Sequence, residues 1–250
     1  VLMVTRGPDA YKIPRLWHRG LCAIFGMRVI VRGRPLNPHA VPVMFISNHI
    51  SYLDILVMGA VLEASFVAKL DVAKWPIFGF LSQLQQTAFI SRASKDALRE
   101  RYSLQSYLKA RKSIILFPEG TTDNGREVLP FKSSLFALAL DHHLTDGALR
   151  VQPFSLRVCP LNQTPAALQA ANDYDWPFDD MTPMPIHLIQ FAGGPGCVLE
   201  LIFHAPIDPK FYDDRKVLCE DVRNVIVRGH TDGMVQNAPT APSSQPEPIS

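Results

Sequence analysis

A histidine stands five residues before an aspartate in Asn48-His49-Ile50-Ser51-Tyr52-Leu53-Asp54, just after the apolar run Val43 to Ile46. A neutral imidazole can take a proton near neutral pH. A carboxylate on the other ring nitrogen fixes the tautomer and stabilises the imidazolium. The chemistry that suits the pair is removal of a proton from a hydroxyl. No Gly-x-Ser-x-Gly elbow occurs in the chain, so the activated hydroxyl is expected to belong to a substrate. Residues five apart on a helix point about 140° apart. His49 must therefore precede the helix that carries Asp54, or lie on its first loose turn, if the two are to meet. On spacing alone the plainer alternative, a helix-capping histidine and a solvated aspartate, stays open. A second polar cluster, Phe117-Pro118-Glu119-Gly120-Thr121, follows another apolar run, Ile114 to Phe117. Polar clusters at the ends of two core strands are the pattern of an α/β active site.

Together these segments resemble the glycerolipid acyltransferase family, the 1-acylglycerol-3-phosphate acyltransferases and their relatives. Four blocks of that family's pattern occur in order. The first is Asn48 to Asp54. The second, Ala88-Phe89-Ile90-Ser91-Arg92, is similar to the family's apolar strand ending in arginine. The third is Phe117-Pro118-Glu119-Gly120-Thr121-Thr122, and the fourth Val151-Gln152-Pro153-Phe154. The resemblance covers about residues 15 to 205. The stretches Phe66-Val67-Ala68-Lys69 and Trp75-Pro76-Ile77-Phe78-Gly79 are similar to the bacterial branch, which includes enzymes that finish ornithine lipids.

The resemblance implies roles. His49 would be the general base and Asp54 its orienting carboxylate. The freed hydroxyl would attack an acyl thioester on coenzyme A or acyl-carrier protein. Arg92 would hold an anionic head group, for which a guanidinium fork is suited. Glu119, Gly120 and Thr121 would line the acceptor side, Pro153 would shape the far wall, and Lys69 would join the substrate-binding residues. A thioester is already activated, so no metal or organic cofactor is expected. Backbone amides at the start of the helix after His49 are candidates for holding the developing oxyanion. The expected acceptor is 1-acylglycerol-3-phosphate, giving phosphatidate, with lyso-ornithine lipid as the alternative. A non-catalytic lipid-binding protein of the same fold is the reading from another class, but it has no need of a base and carboxylate. One departure stands out: relatives continue Phe-Lys-x-Gly where this chain reads Phe131-Lys132-Ser133-Ser134.

Composition sets bounds on these readings. The chain has 250 residues, 47% of them hydrophobic, and a net charge of +2, which does not point to nucleic acid. Basic residues crowd the start, where Arg6, Lys12, Arg15, Arg19, Arg28, Arg32 and Arg34 face a single acid, Asp9. Among them Leu16, Trp17, Leu21, Ile24 and Phe25 recur near helical spacing, as in an amphipathic helix suited to an anionic membrane surface. A helix packed on the core with a solvated face is the other reading. The expected location is the cytoplasmic face of the inner membrane, peripheral or anchored by a segment missing before Val1. Cys22, Cys159, Cys197 and Cys219 show no paired or metal-binding spacing and read as reduced, buried thiols.

Periodicity predicts strands near 28–32, 42–47, 65–69, 87–91, 113–117, 150–158 and 197–205. Helical patterns cover Asp54 to Leu62, about 94–111, Ser133 to about His142, and a last helix from Asp213-Asp214 to Gly229. The expectation is a single α/β domain with a central mixed sheet of about seven strands flanked by helices, preceded by the N-terminal amphipathic helix. Residues 1–40 would hold that helix and the first strand. Residues 41–230 would form the acyltransferase domain, with its motif core at about 42–160. Residues 231–250, rich in proline, serine and threonine, would be a disordered tail. The acidic and aromatic stretch Asp173 to Met181 reads as a surface loop pinned by its aromatics, or as a lid.

Overall fold

The computed structural model of the chain describes residues 11–69, 87–90, 104–177 and 182–236. Its strands are β1 (Arg28–Arg32), β2 (Val43–Ile46), β3 (Ser65–Lys69), β4 (Ala88–Ile90), β5 (Ile114–Leu116), β6 (Arg150–Cys159) and β7 (Val198–Phe203). They form one seven-stranded sheet in the order β1-β7-β6-β2-β5-β3-β4. Every neighbouring pair is parallel except β6 and β7, which makes the sheet mixed, as expected. The helices are α1 (Lys12–Ile24), α2 (Asp54–Val61), α3 (104–109), α4 (Pro165–Asn172), α5 (Met184–Ala192) and α6 (Arg215–Gln236).

The centre of the sheet explains its sequence. All four residues of β2 are fully buried, with Phe45 in one core and Met44 and Ile46 in the other. A strand covered on both faces reads as an unbroken apolar run rather than an alternating one. One core packs β2 against α1, α2 and α5 through Cys22, Leu53, Val57 and Phe191. The opposite core packs it against α3 and α6 through Leu104, Leu108, Leu218, Val222 and Ile226.

α1 ends at Gly26, whose φ of 64° suits glycine. Its N–H reaches Ala23 O and that of Met27 reaches Cys22 O, closing the helix before the chain enters β1. A side chain at Gly26 would come within 2.8 Å of the Pro195 carbonyl oxygen. The turn Gly193–Gly196 before β7 therefore packs on the end of α1. On α1, Pro14, His18 and Cys22 face the core, while Leu16 and Ile24 remain 72% and 74% exposed beside Ile13 and Trp17. Ile13, Leu16, Trp17 and Ile24 thus point outward, while Leu21 packs partly against the core.

Three expectations need correction. The predicted helix from Ser133 to about His142 is two 3₁₀ segments, Ser133–Leu138 and His142–Leu144, because Asp141 leaves helical geometry at φ −83°, ψ 82°. The last helix runs through Gly229 to Gln236, so residues 231–236 are helical rather than part of a tail. Gly229 is no stop signal. A side chain there would lie 2.4 Å from His204 Cε1 and 2.6 Å from Ser155 Oγ, so the glycine serves close approach to β6. The third correction concerns α4 and α5, which were not anticipated. Both are short and carry proline in the first turn, where its missing N–H costs nothing. Most of the predicted helix at 94–111 and all of 237–250 lie outside the described residues.

Candidate active site

The site is built on the loop between β2 and α2. β2 pairs with β6 only as far as Ile46 opposite Pro153. Proline has no N–H, so the ladder can end there without an orphaned donor on β6. Two residues on, the Asn48 side chain takes over the pairing. Its oxygen accepts the Leu156 N–H at 2.8 Å and its amide donates to Leu156 O at 3.0 Å. Buried Asn48 therefore acts as one more rung of the sheet and turns the chain so that His49 leaves the strand end.

His49 and Asp54 meet. His49 Nδ1 lies 2.7 Å from Asp54 Oδ2, and Asp54 is fully buried as the first residue of α2. The same oxygen accepts the backbone N–H of Ile50 at 2.8 Å and of Ser51 at 3.2 Å. A carboxylate so placed fixes the proton on Nδ1 and leaves the Nε2 lone pair outward. The side chain of His49 is 17% exposed, and among the described residues Nε2 has no partner. The ring also stacks on Phe117 at 4.0 Å between centroids and 14° between planes. These contacts hold the imidazole edge toward solvent.

The turn after β5 closes the other side. Both Glu119 oxygens accept backbone N–H groups, one from His49 at 2.9 Å and the other from Leu129 at 3.2 Å. Burial pushes this carboxyl up to about 8, against the lowering pull of those two bonds. Glu119 therefore clamps the histidine loop to the loop before Phe131. Gly120 has a φ of 71°, and a side chain on it would come within 2.4 Å of Lys132 Nζ. That glycine makes room for the lysine of the variant Phe131-Lys132-Ser133-Ser134 segment. Thr121 is half-buried, with its hydroxyl directed to Thr122 O at 3.4 Å.

The remaining candidates are placed less directly. Pro153 is buried in β6 opposite Ile46. Lys69 ends β3, but its side chain lies outside the described residues, as does all of Arg92. The amides of Ile50 and Ser51, ahead of the helix, donate to Asp54, and those at the start of α2, Asp54 and Ile55, donate to Ser51 O and Tyr52 O at 3.1 and 3.4 Å. One contributor carried no signal in the sequence. Tyr174, fully buried and 120 residues downstream, donates its hydroxyl to Asp54 Oδ1 at 2.8 Å. It belongs to the stretch read as a surface loop.

A histidine with one nitrogen on a buried carboxylate and the other open can accept a proton from a bound hydroxyl and return it to a leaving group. Comparisons with known proteins agree in kind. A family model described as Acyltransferase matches residues 28–158. A lyso-ornithine lipid O-acyltransferase of Rhizobium meliloti (strain 1021) is 30% identical over 239 residues, covering 94% of this chain and 80% of that protein. A 1-acyl-sn-glycerol-3-phosphate acyltransferase of Neisseria meningitidis serogroup B is 36% identical over 124 residues, about half of each chain (49% and 48%). The crystal structure of the 1-acyl-sn-glycerophosphate acyltransferase PlsC from Thermotoga maritima superposes with a TM-score of 0.67 over 93% of this chain and 84% of that one. At 22% identity that likeness shows the fold. The matched segment contains the histidine, the aspartate and the glutamate turn, and this chain belongs to the acyltransferase family.

Proposed function

We propose that this chain moves a fatty acyl group from a thioester, on coenzyme A or acyl-carrier protein, to the hydroxyl of a lysolipid at a membrane surface. The observation that carries the reading is the outward Nε2 of His49 above a buried carboxylate. In this reading Nε2 takes the acceptor's hydroxyl proton as its oxygen attacks the thioester carbonyl. The tetrahedral intermediate collapses with loss of the thiolate, which recovers the proton from the imidazolium. The products are an ester and a free thiol. Asp54 carries the compensating charge throughout.

Lyso-ornithine lipid is the acceptor favoured here, since lyso-ornithine lipid O-acyltransferases match 78% to 94% of this chain in Rhizobium meliloti and Rhodobacter capsulatus. 1-Acylglycerol-3-phosphate, the first expectation from the motifs, is the second reading. It rests on relatives such as the Neisseria enzyme that match about half the chain (49%). The deciding experiment supplies the protein with labelled acyl-CoA or acyl-carrier protein and each acceptor separately, then identifies the lipid product. Label in neither product would refute the reading.

The outward apolar face of α1 supports a location on the cytoplasmic face of the inner membrane. Leu16, Trp17 and Ile24 are exposed there, with no partner among the described residues that buries them. Arg15 and Arg19 do a different job, since both donate to the Ala60 carbonyl oxygen near the end of α2, and Arg15 also pairs with Glu63 at 2.8 Å. Leu16→Glu with Ile24→Glu is therefore expected to abolish co-sedimentation with anionic vesicles while thermal unfolding stays unchanged. Undiminished binding would mean that α1 does not face lipid.

A further inference from the structure

The loop that delivers Tyr174 is itself held at two points. His187, buried on α5, places Nε2 at 2.9 Å from Asp173 O and 3.1 Å from Asp175 O, the carbonyls on either side of Tyr174. Carbonyl oxygens only accept, so Nε2 carries the ring proton and Nδ1 keeps its lone pair. The Tyr52 hydroxyl, 2.9 Å from Nδ1, must then donate to it. Tyr52 lies two residues before Asp54 in the same loop as His49. Aromatic contacts add to the fit. Tyr52 meets Trp176 edge-on at 5.4 Å, and Tyr174 meets Phe191 edge-on at 5.8 Å. The 173–176 turn is thus fastened to the histidine loop at Asp54 and, through His187, at Tyr52.

A tyrosine that only fills a core needs no hydroxyl. Burying one without a partner costs free energy, and the described partner of this hydroxyl is Asp54 alone. Without that bond Oδ1 would be a buried oxygen with no donor, and the carboxylate would be free to turn about its Cβ–Cγ bond. We propose that Tyr174 is a positioning residue for the reaction. Acting through Asp54, it holds Oδ2 on His49 Nδ1 and draws charge away from that oxygen, so the imidazole is kept aligned and faces a less concentrated charge. The proposal rests on His49 serving as the base. The other titratable groups facing this pair are Glu119 from the turn after β5, Cys22 on α1 and Cys197 before β7. Cys22 and Cys197 are pushed up to about 11 and about 12 by burial and stay uncharged at neutral pH.

The test compares the intact protein with Tyr174→Phe, with 3-fluorotyrosine installed at the same position, and with His49→Ala. Each is assayed with the donor and acceptor pair that the unaltered protein turns over. Tyr174→Phe is expected to lower kcat about tenfold, the loss of one charge-assisted hydrogen bond. The acceptor KM should stay within about twofold, and the acid limb of the pH–rate profile should move to higher pH. Fluorination makes the phenol a stronger donor at nearly the same shape, so its acid limb should move the opposite way with kcat retained. Unmoved acid limbs in both variants would overturn the proposal and leave Tyr174 a packing residue, whatever the activity lost to misfolding. An active His49→Ala would instead overturn the base reading on which it depends.

Discussion

Replacing Asp54 by asparagine separates the charge of this carboxylate from its shape. Oδ2 accepts from His49 Nδ1, Ile50 N and Ser51 N, while Oδ1 accepts from the Tyr174 hydroxyl. An asparagine side chain has one acceptor end and one donor end. Its oxygen must face the three N–H groups, which leaves its NH₂ toward Tyr174, whose oxygen can accept. The hydrogen-bond pattern survives and the fold should too. What disappears is the negative charge beside an imidazolium formed in the transition state. Two unit charges about 4 Å apart at an effective dielectric near 20 interact by roughly 4 kcal/mol. The lower bound is the gap between a charged and a neutral hydrogen bond, about 1.5 kcal/mol. Because Asp54 is fully buried, the upper part of that range applies. The expected loss in kcat/KM is about 10²- to 10³-fold, with little change in Tm. Initial rates of thiol release and of labelled lipid formation measure it, alongside thermal unfolding. The double variant with His49→Ala should be no worse than His49→Ala alone, since the two residues act as a unit. Folded Asp54→Asn retaining more than about a tenth of wild-type kcat/KM would refute the reasoning.

Other consequences follow from the same geometry. Glu119 sits at about 8, above its ordinary value of 4.5, so the folded chain keeps a proton that the unfolded chain releases between those values. This contribution is fully present below the lower value and is lost as pH rises to the upper one, by up to about 1.4 kcal/mol per pH unit. Urea unfolding across that window should show the slope in the natural protein and a flatter one in Glu119→Gln; equal slopes would remove burial as the cause. Asn48→Leu leaves the buried Leu156 N–H without its partner and the Leu156 carbonyl with His230 Nδ1 at 3.3 Å, a loss of roughly 1–3 kcal/mol that denaturant midpoints should show. Gly229→Ala must displace His204 and Ser155 and should cost about 1–3 kcal/mol; an unchanged Tm would mean that α6 is not seated against β6 as described.

Much of this protein is local in origin, and that part was legible in the sequence. Strands buried on both faces, such as β2 and β5, show as unbroken apolar runs, and all seven strands were placed within one or two residues. The His49–Asp54 pair was legible for the same reason. Five residues of chain confine the two groups to one turn, and helical geometry required the histidine to lie ahead of the helix. Where long-range packing chose between local options, periodicity misled. Gly229 reads as a helix stop until β6 is seen pressing against it, and the outward face of α1 reads equally as core until Pro14, His18 and Cys22 are found beneath it. The role of Glu119 could not be read either, because its partners, His49 N and Leu129 N, come from two separate loops. Tyr174 is the clearest case, since no spacing rule links a buried phenol to a carboxylate 120 residues earlier. Sequence set which groups are suited to the chemistry, because spacing and side-chain type are properties of the chain itself. Only the tertiary structure decided what holds them, because burial and hydrogen-bond partnership exist only once distant segments meet.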